Sequence, residues 1–190
     1  DSFCKGFFEP EGIETEYLPM DADDDACNAV VKKYQPVGMI SIERCGKNTE
    51  NEYANMRGIS IREHTAPVDR IFELFGPDAE EDGKRIPTIG VGDGGNEIGM
   101  GNLADVIEKE LSLVPCKVRT DLLVTASVAN WGAYGIAAAL QLLTGRKIYS
   151  VIDEEPVDRK TMELIEKTVE IGSVDGVTHD RIAHVDGYSN

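Results

Sequence analysis

Thr88-Ile89-Gly90-Val91-Gly92-Asp93-Gly94-Gly95-Asn96-Glu97-Ile98-Gly99-Met100-Gly101 carries six glycines in the twelve positions from Gly90 to Gly101. Such density means a backbone that takes up positive φ repeatedly or passes very close to something. The apolar run Ile86 to Val91 reads as a strand entering the loop, and Asn102 reads as the cap of a helix running to about Leu113. Strand, glycine loop and helix in that order are the grammar of an open α/β sheet, whose ligands meet the carboxyl ends of the strands.

The same grammar recurs on both sides. Asp21 to Tyr34 predicts a helix with Asp21 as N-cap, acids in the first turn and Lys32-Lys33 in the last, matching the helix dipole. Pro36 ends it, and Val37 to Glu43 follows as a strand; Pro67 to Phe75 predicts a short helix. Leu122-Leu123-Val124 reads as a short buried strand, Asn130, Trp131 and Gly132 as breakers, and Ile136 to Leu143 as an Ala/Leu-rich helix. The charge-free stretch from Leu122 to Leu143 imitates a membrane span in a hydropathy window, but those breakers argue against one. Pro156 to Ile171 has the spacing of an amphipathic helix, and Val174-Asp175-Gly176 and Val185-Asp186-Gly187 repeat a strand-then-turn signature suited to a small terminal hairpin. Cys45 to Ala54 and Gly76 to Arg85 read as solvated loops. The expected fold is a single α/β domain over residues 1–190: a mostly parallel, doubly wound (Rossmann-like) three-layer sheet with a C-terminal β-hairpin.

Composition narrows the partners. The 190 residues carry 19 Lys and Arg against 35 Asp and Glu, a net charge of −16. Nucleic acid and anionic membrane are repelled by such a chain, and an anionic substrate needs a local basic pocket. Cys4, Cys27, Cys45 and Cys116 show no CxxC spacing, so neither a zinc site nor a disulfide framework is expected. His64, His179 and His184 are scattered without HxxxH or HExxH spacing, which gives no support to a zinc hydrolase or a triad.

Chemistry therefore concentrates at the strand ends. Asp93 and Glu97 are acids in a loop whose turns do not demand them, fit for general acid and base work. Gly90, Gly92 and Gly95 match GxGxxG, yet a pyrophosphate there would face Asp93 and Glu97, and the helix starts late for a dinucleotide fingerprint. Glu43, Arg44, Asn55 and Arg57 surround a loop leaving the neighbouring strand, where guanidinium groups supply the basic patch that the overall charge withholds. Asn130 and Trp131 follow a third strand, the indole placed to wall a pocket. Asp93, Asn96 and Glu97 also offer oxygen ligands to Mg²⁺ or Ca²⁺.

Five segments in order carry a resemblance: Ser41-Ile42-Glu43-Arg44, Tyr53-Ala54-Asn55-Met56-Arg57-Gly58, the glycine loop, Ala129-Asn130-Trp131-Gly132 and Val174-Asp175-Gly176-Val177-Thr178. Together they resemble the C-terminal domain of D-glutamate cyclase and its free-standing bacterial relatives, from about residue 13 to the end. The resemblance implies a lyase that closes D-glutamate to 5-oxo-D-proline with loss of water. It also implies a chain lacking an N-terminal segment of the family domain, with a homo-oligomer or a covalently preceding domain as partner. The implied location is the cytoplasm for a bacterial member and the mitochondrial matrix for an animal one.

That reaction assigns three jobs. Arg57 and Arg44 anchor the α-carboxylate, with Asn55, Asn130 and Trp131 lining the pocket; Asp93 and Glu97 move protons; the amides of Gly94 and Gly95 or the Asn96 side chain receive the oxyanion. No redox cofactor is required. Two other readings stay open: a metal-assisted version on Mg²⁺ or Ca²⁺, and a non-catalytic module that binds an acidic metabolite, with a dinucleotide-binding domain behind both.

Overall fold

A computed structural model describes residues 8–9, 12–79, 85–148 and 157–189. Cys4, the expected helix start at Pro156 and the middle of the 76–85 loop fall outside them. Two compact units emerge, one spanning Leu18–Ile136 and one combining the N-terminal stretch up to Tyr17 with Ala137 onward.

In the first unit, β1 (Met39–Ile42), β2 (Thr88–Gly92) and β3 (Leu122–Thr125) form a three-stranded parallel sheet in that order. The rows Ile40↔Ile89↔Leu122 and Ile42↔Val91↔Val124 fix the register. At the amino end Asp121 helps hold it, accepting from the Thr88 amide at 2.8 Å and the Thr88 hydroxyl at 2.9 Å. One face of the sheet carries the core. Phe72 of α2 (Asp69–Phe75), Ile98, Met100, Ile107, Cys116 and Val118 pack together there, with Met39 and Leu123 against them. Burying a side chain such as Ile98 completely contributes about 1.5–3 kcal/mol. On the other face Gly132 approaches Val91 and Val124 so closely that a Cβ would lie 2.7 Å from the Val91 Cγ1. The glycine thus seats the first turns of α4 (Ala129–Thr144) on the sheet. Helical elements on both faces make the fold a Rossmann-like α/β sheet.

The boundaries correct several expectations. Asp23, not Asp21, caps α1 (Asp24–Tyr34), its carboxylate accepting from the Ala26 amide at 3.0 Å. The helical stretch after the glycine loop opens at Met100 as a 3-10 turn, passes through α3 (Ala104–Val106) and closes as a π-turn at Leu111. Asn102 does not cap it; its side chain exchanges hydrogen bonds with the Thr120 backbone at 2.8 and 3.1 Å. Asn130, Trp131 and Gly132 are not breakers but the first residues after Ala129 in α4. β3 was expected to be buried, but as an edge strand it leaves Leu122 62% exposed. The 45–54 loop is packed rather than solvated, with Cys45, Asn48 and Tyr53 buried.

In the second unit α5 (Val157–Glu170) is closed by Arg181, which donates to the carbonyls of Val169 and Glu170 at 3.0 and 2.9 Å. β4 (His184–Val185) and β5 (Tyr188–Ser189) make the terminal hairpin. Asp186 and Gly187 turn it, both at positive φ, as a two-residue hairpin turn demands. Val174-Asp175-Gly176 is a turn and not a strand: Asp175 gathers the amides of Val177, Thr178 and Gly187 at 3.0, 2.6 and 2.8 Å. Among the described residues no helix is long and apolar enough to cross a membrane.

Candidate functional site

The glycine loop folds back on its own strand. A Cβ on Gly90 would lie 2.5 Å from the Ile98 carbonyl oxygen, and Gly99, at φ +103°, lies against Gly90 in return. This close backbone packing brings Ile98 into the core and turns Glu97 inward. Glu97 is 3% exposed. Its Oε1 accepts from the Gly94 amide at 2.8 Å and the Asp93 amide at 3.3 Å, and its Oε2 accepts from the Gly95 amide at 2.8 Å. Burial pushes the Glu97 carboxyl above its ordinary value and the Asp93 charge adds to the rise, while the Gly94 and Asp93 amides oppose it.

The consequence is direct for the sequence assignments. The Gly94 and Gly95 amides, expected to receive an oxyanion, donate to Glu97 instead. The loop holds its own carboxylate where a phosphate cradle would hold a ligand, which leaves the GxGxxG match without a binding geometry. Of the oxygen ligands read from the sequence for Mg²⁺ or Ca²⁺, both Glu97 oxygens already accept amide N–H groups, and Asn96 is held through its Nδ2.

Asp93 faces the other way. It follows β2, and its Oδ2 accepts from the Ala129 amide at 2.8 Å, at the start of α4. A negative carboxylate is favoured at that end of a helix. A Glu43 carboxylate oxygen, at the end of β1, lies within 4.8 Å of one on Asp93. Glu43 itself holds φ at +52°, a conformation that disfavours non-glycine residues and that its amide stabilises by donating to the Val91 carbonyl at 3.0 Å. These two acids end adjacent parallel strands, which sets their carboxylates side by side.

The 44–58 stretch is laced to this loop. Gly46 donates to the Asn96 carbonyl at 3.0 Å and Ile98 to the Arg44 carbonyl at 2.8 Å, an antiparallel pairing around Cys45 and Glu97. The Asn96 Nδ2 donates to the Ala54 carbonyl at 2.9 Å, and Met56 packs over Gly94. Asn55 is a turn residue, its Oδ1 accepting from the amides of Arg57 and Ile59 at 2.9 and 3.0 Å. The two arginines differ. Arg44 donates one guanidinium nitrogen to the Ala66 carbonyl at 2.8 Å, whereas among the described residues Arg57 is exposed and makes no ion pair. On α4, Asn130 has a buried Oδ1 with no partner among the described residues, and Trp131 is 45% exposed.

Two residues that sequence reasoning missed support the stretch from below. Asp69, completely buried at the start of α2, accepts from the Tyr53 hydroxyl at 2.5 Å and the Lys47 amide at 3.0 Å. Burial, with the Asp69 hydrogen bond, pushes the Tyr53 hydroxyl far above its ordinary value. An acid at the head of a short helix looks like a dipole partner in sequence, and only the tertiary fold shows it reaching a loop sixteen residues upstream.

The comparisons with known proteins agree with the sequence resemblance. A family model described as D-glutamate cyclase-like, C-terminal, matches residues 7–190. A stretch of 118 residues is 35% identical to the human protein named D-glutamate cyclase, mitochondrial, covering 59% of this chain and 18% of that protein. The matched stretch thus spans less than a fifth of the length of the curated relative.

Proposed function

Because this chain belongs to the D-glutamate cyclase-like, C-terminal family, we propose that the intact protein closes D-glutamate to 5-oxo-D-proline and water, with the carboxyl edge of the parallel sheet as its site. The observation that supports the reading is Asp93 at the carboxyl end of β2, bonded to the Ala129 amide, with the turn that bears the exposed Arg57 laid against the same loop where Met56 meets Gly94. An acidic amino acid offers one group to each: its α-carboxylate to the guanidinium and its ammonium to the carboxylate.

In this reading Asp93 takes a proton from the ammonium, and the freed amine attacks the γ-carboxyl carbon. The C–N bond forms, the nitrogen's surplus proton passes to a γ-carboxyl oxygen, and the tetrahedral centre collapses as the resulting hydroxyl leaves as water with the proton that Asp93 returns. Positioned proton transfer of this kind contributes roughly 10²–10⁴-fold. Asn130 Oδ1, buried and unpartnered among the described residues, accepts from the ammonium and orients it. Trp131 walls the pocket. Glu97 shapes the loop from behind, and Arg44 supports it through Ala66. Any divalent cation that takes part is assigned to Glu43 and Asp93.

The test is turnover of D-glutamate by the intact protein, followed as 5-oxoproline. Arg57→Ala is expected to raise KM about tenfold or more with a smaller change in kcat, because an anchor acts on ground state and transition state alike. Binding of D-glutamate without turnover overturns the lyase reading in favour of a binding module. Loss of turnover with EDTA brings a metal into the mechanism.

A further inference from the structure

Away from the carboxyl edge, a cleft of about 460 Å³ opens among α1, α2 and the segment that enters β3. Its charged lining is Asp24, Arg70, Glu73, Asp78, Lys117 and Arg119, three acids and three cations. Two kinds of ion pair are present. Arg70 is locked, its Nε and one terminal nitrogen on Asp24 at 2.6 and 2.8 Å and the other on Glu73 at 3.1 Å. Lys117 is shared between Glu73 at 3.3 Å and the Asn51 Oδ1 at 2.9 Å, whereas Arg119 stands 3.5 Å from Asp78 with both side chains half exposed. An exposed pair such as Arg119–Asp78 contributes little to stability and yields to a competing ligand.

We infer that this cleft is a second binding site, for a zwitterionic amino acid bearing an extra carboxylate, and that its occupant is sensed by the glycine loop. The balance of charge chooses the class. A plain anion attracted by Lys117 and Arg119 also meets their partners Glu73 and Asp78, whereas a zwitterion places carboxylates on the two cations and its ammonium beside the two acids. The locked Arg70–Asp24 pair forms a wall that the ligand does not have to break. The volume lies within the range of small-molecule pockets.

Coupling follows from the backbone. Val118, between Lys117 and Arg119, accepts with its carbonyl from the amides of Gly99 at 2.9 Å and Gly101 at 3.2 Å, and Cys116 donates to the Gly95 carbonyl at 3.0 Å. Val118 is also a core residue. A ligand that pulls on Lys117 and Arg119 therefore strains a segment hydrogen-bonded to the middle and the far end of the loop that carries Asp93 and Glu97.

The experiment is a ¹H–¹⁵N titration of the chain with D- and L-glutamate, glutarate and inorganic phosphate. Glutamate is expected to shift the Gly99, Gly101 and Val118 amides saturably, in the Asp93→Asn variant as well, which separates this cleft from the carboxyl-edge site. The double change Lys117→Met, Arg119→Met is expected to weaken that response about tenfold or more, the scale of one lost charge-assisted hydrogen bond, with the folded spectrum retained. Glutarate, lacking the ammonium, is expected to bind more weakly than glutamate. Absence of a saturable shift, indifference to the double change, or glutarate or phosphate binding as tightly as glutamate each overturns the proposal. A response that vanishes in Asp93→Asn assigns the binding to the carboxyl edge and also overturns it.

Discussion

Glu97 in the glycine loop and Asp175 in the turn after α5 do the same local work, each drawing backbone N–H groups onto one carboxylate. Each is 3% exposed. Yet their protons are held in opposite ways. The Thr178 amide, with those of Gly187 and Val177, brings Asp175 down to about 2, against the opposing effect of burial. Glu97 is raised, because burial outweighs its amides and the Asp93 charge adds to the penalty. Equal hidden area thus conceals unequal depth. Behind Glu97 lies the packed core of the sheet, while Asp175 sits in a small unit of turn and two-residue strands. The number of hydrogen bonds a carboxylate accepts does not set its protonation until the cost of desolvation is weighed against it.

Truncating the two acids should break the comparison most forcefully. Glu97→Ala strands the buried amides of Gly94 and Gly95 and leaves a void, and is expected to cost about 3–5 kcal/mol in a urea melt. Asp175→Ala, under thinner cover, is expected to cost about half of that. A smaller loss at Glu97 than at Asp175 would reverse the ranking by depth.

Glycines sharpen the same contrast. In the core-side region Gly90→Ala drives a Cβ to 2.5 Å from the Ile98 carbonyl oxygen, which cannot move without opening the loop. The expected cost is about 2–3 kcal/mol. Gly176, beside Asp175, has open space around its Cβ position. Gly176→Ala is expected to change stability by no more than about 1 kcal/mol, in the stabilising direction through the unfolded chain.

The smallest effects lie in the pH dependence. Asp175 is depressed on folding, so it contributes stability above its ordinary value of 3.8 that is lost as pH falls toward 2. Glu97 is raised, so its contribution is present below 4.5 and is lost as pH rises through its folded value. Asp175→Asn should therefore flatten the unfolding midpoint between about pH 4 and 2, and Glu97→Gln should flatten it above about 4.5. The same slope in both variants would contradict the opposite signs.

The parallel sheet was legible because β1, β2 and β3 are apolar runs bounded by turn residues, and such patterns are local. What was not legible depended on partners far along the chain. Asn130, Trp131 and Gly132 are poor helix formers, so they read as breakers; the helix starts before them because Asp93, thirty-six residues upstream, accepts from the Ala129 amide. Asp21 and Asp23 both stand before α1, and only the side-chain direction selects Asp23. Val174 looked like the start of a strand, but Asp175 closes a turn on its own neighbours and on Gly187. Among the candidate residues, the sequence marked Asp93 and Glu97 as an acid pair. It had no means of showing that the loop's backbone packing turns one inward and the other toward α4.

That division of labour is most directly tested by kinetics of Asp93→Asn and Glu97→Gln in the intact protein, each shown to be folded by its urea melt. Asp93→Asn is expected to keep its stability within about 1 kcal/mol and to lose roughly 10²-fold or more in kcat with D-glutamate, the scale of a removed general base. Glu97→Gln should do the reverse, losing about 1–2 kcal/mol of stability through one mismatched amide while keeping most of its turnover. Unchanged turnover in folded Asp93→Asn, or its collapse in Glu97→Gln alone, would contradict the account.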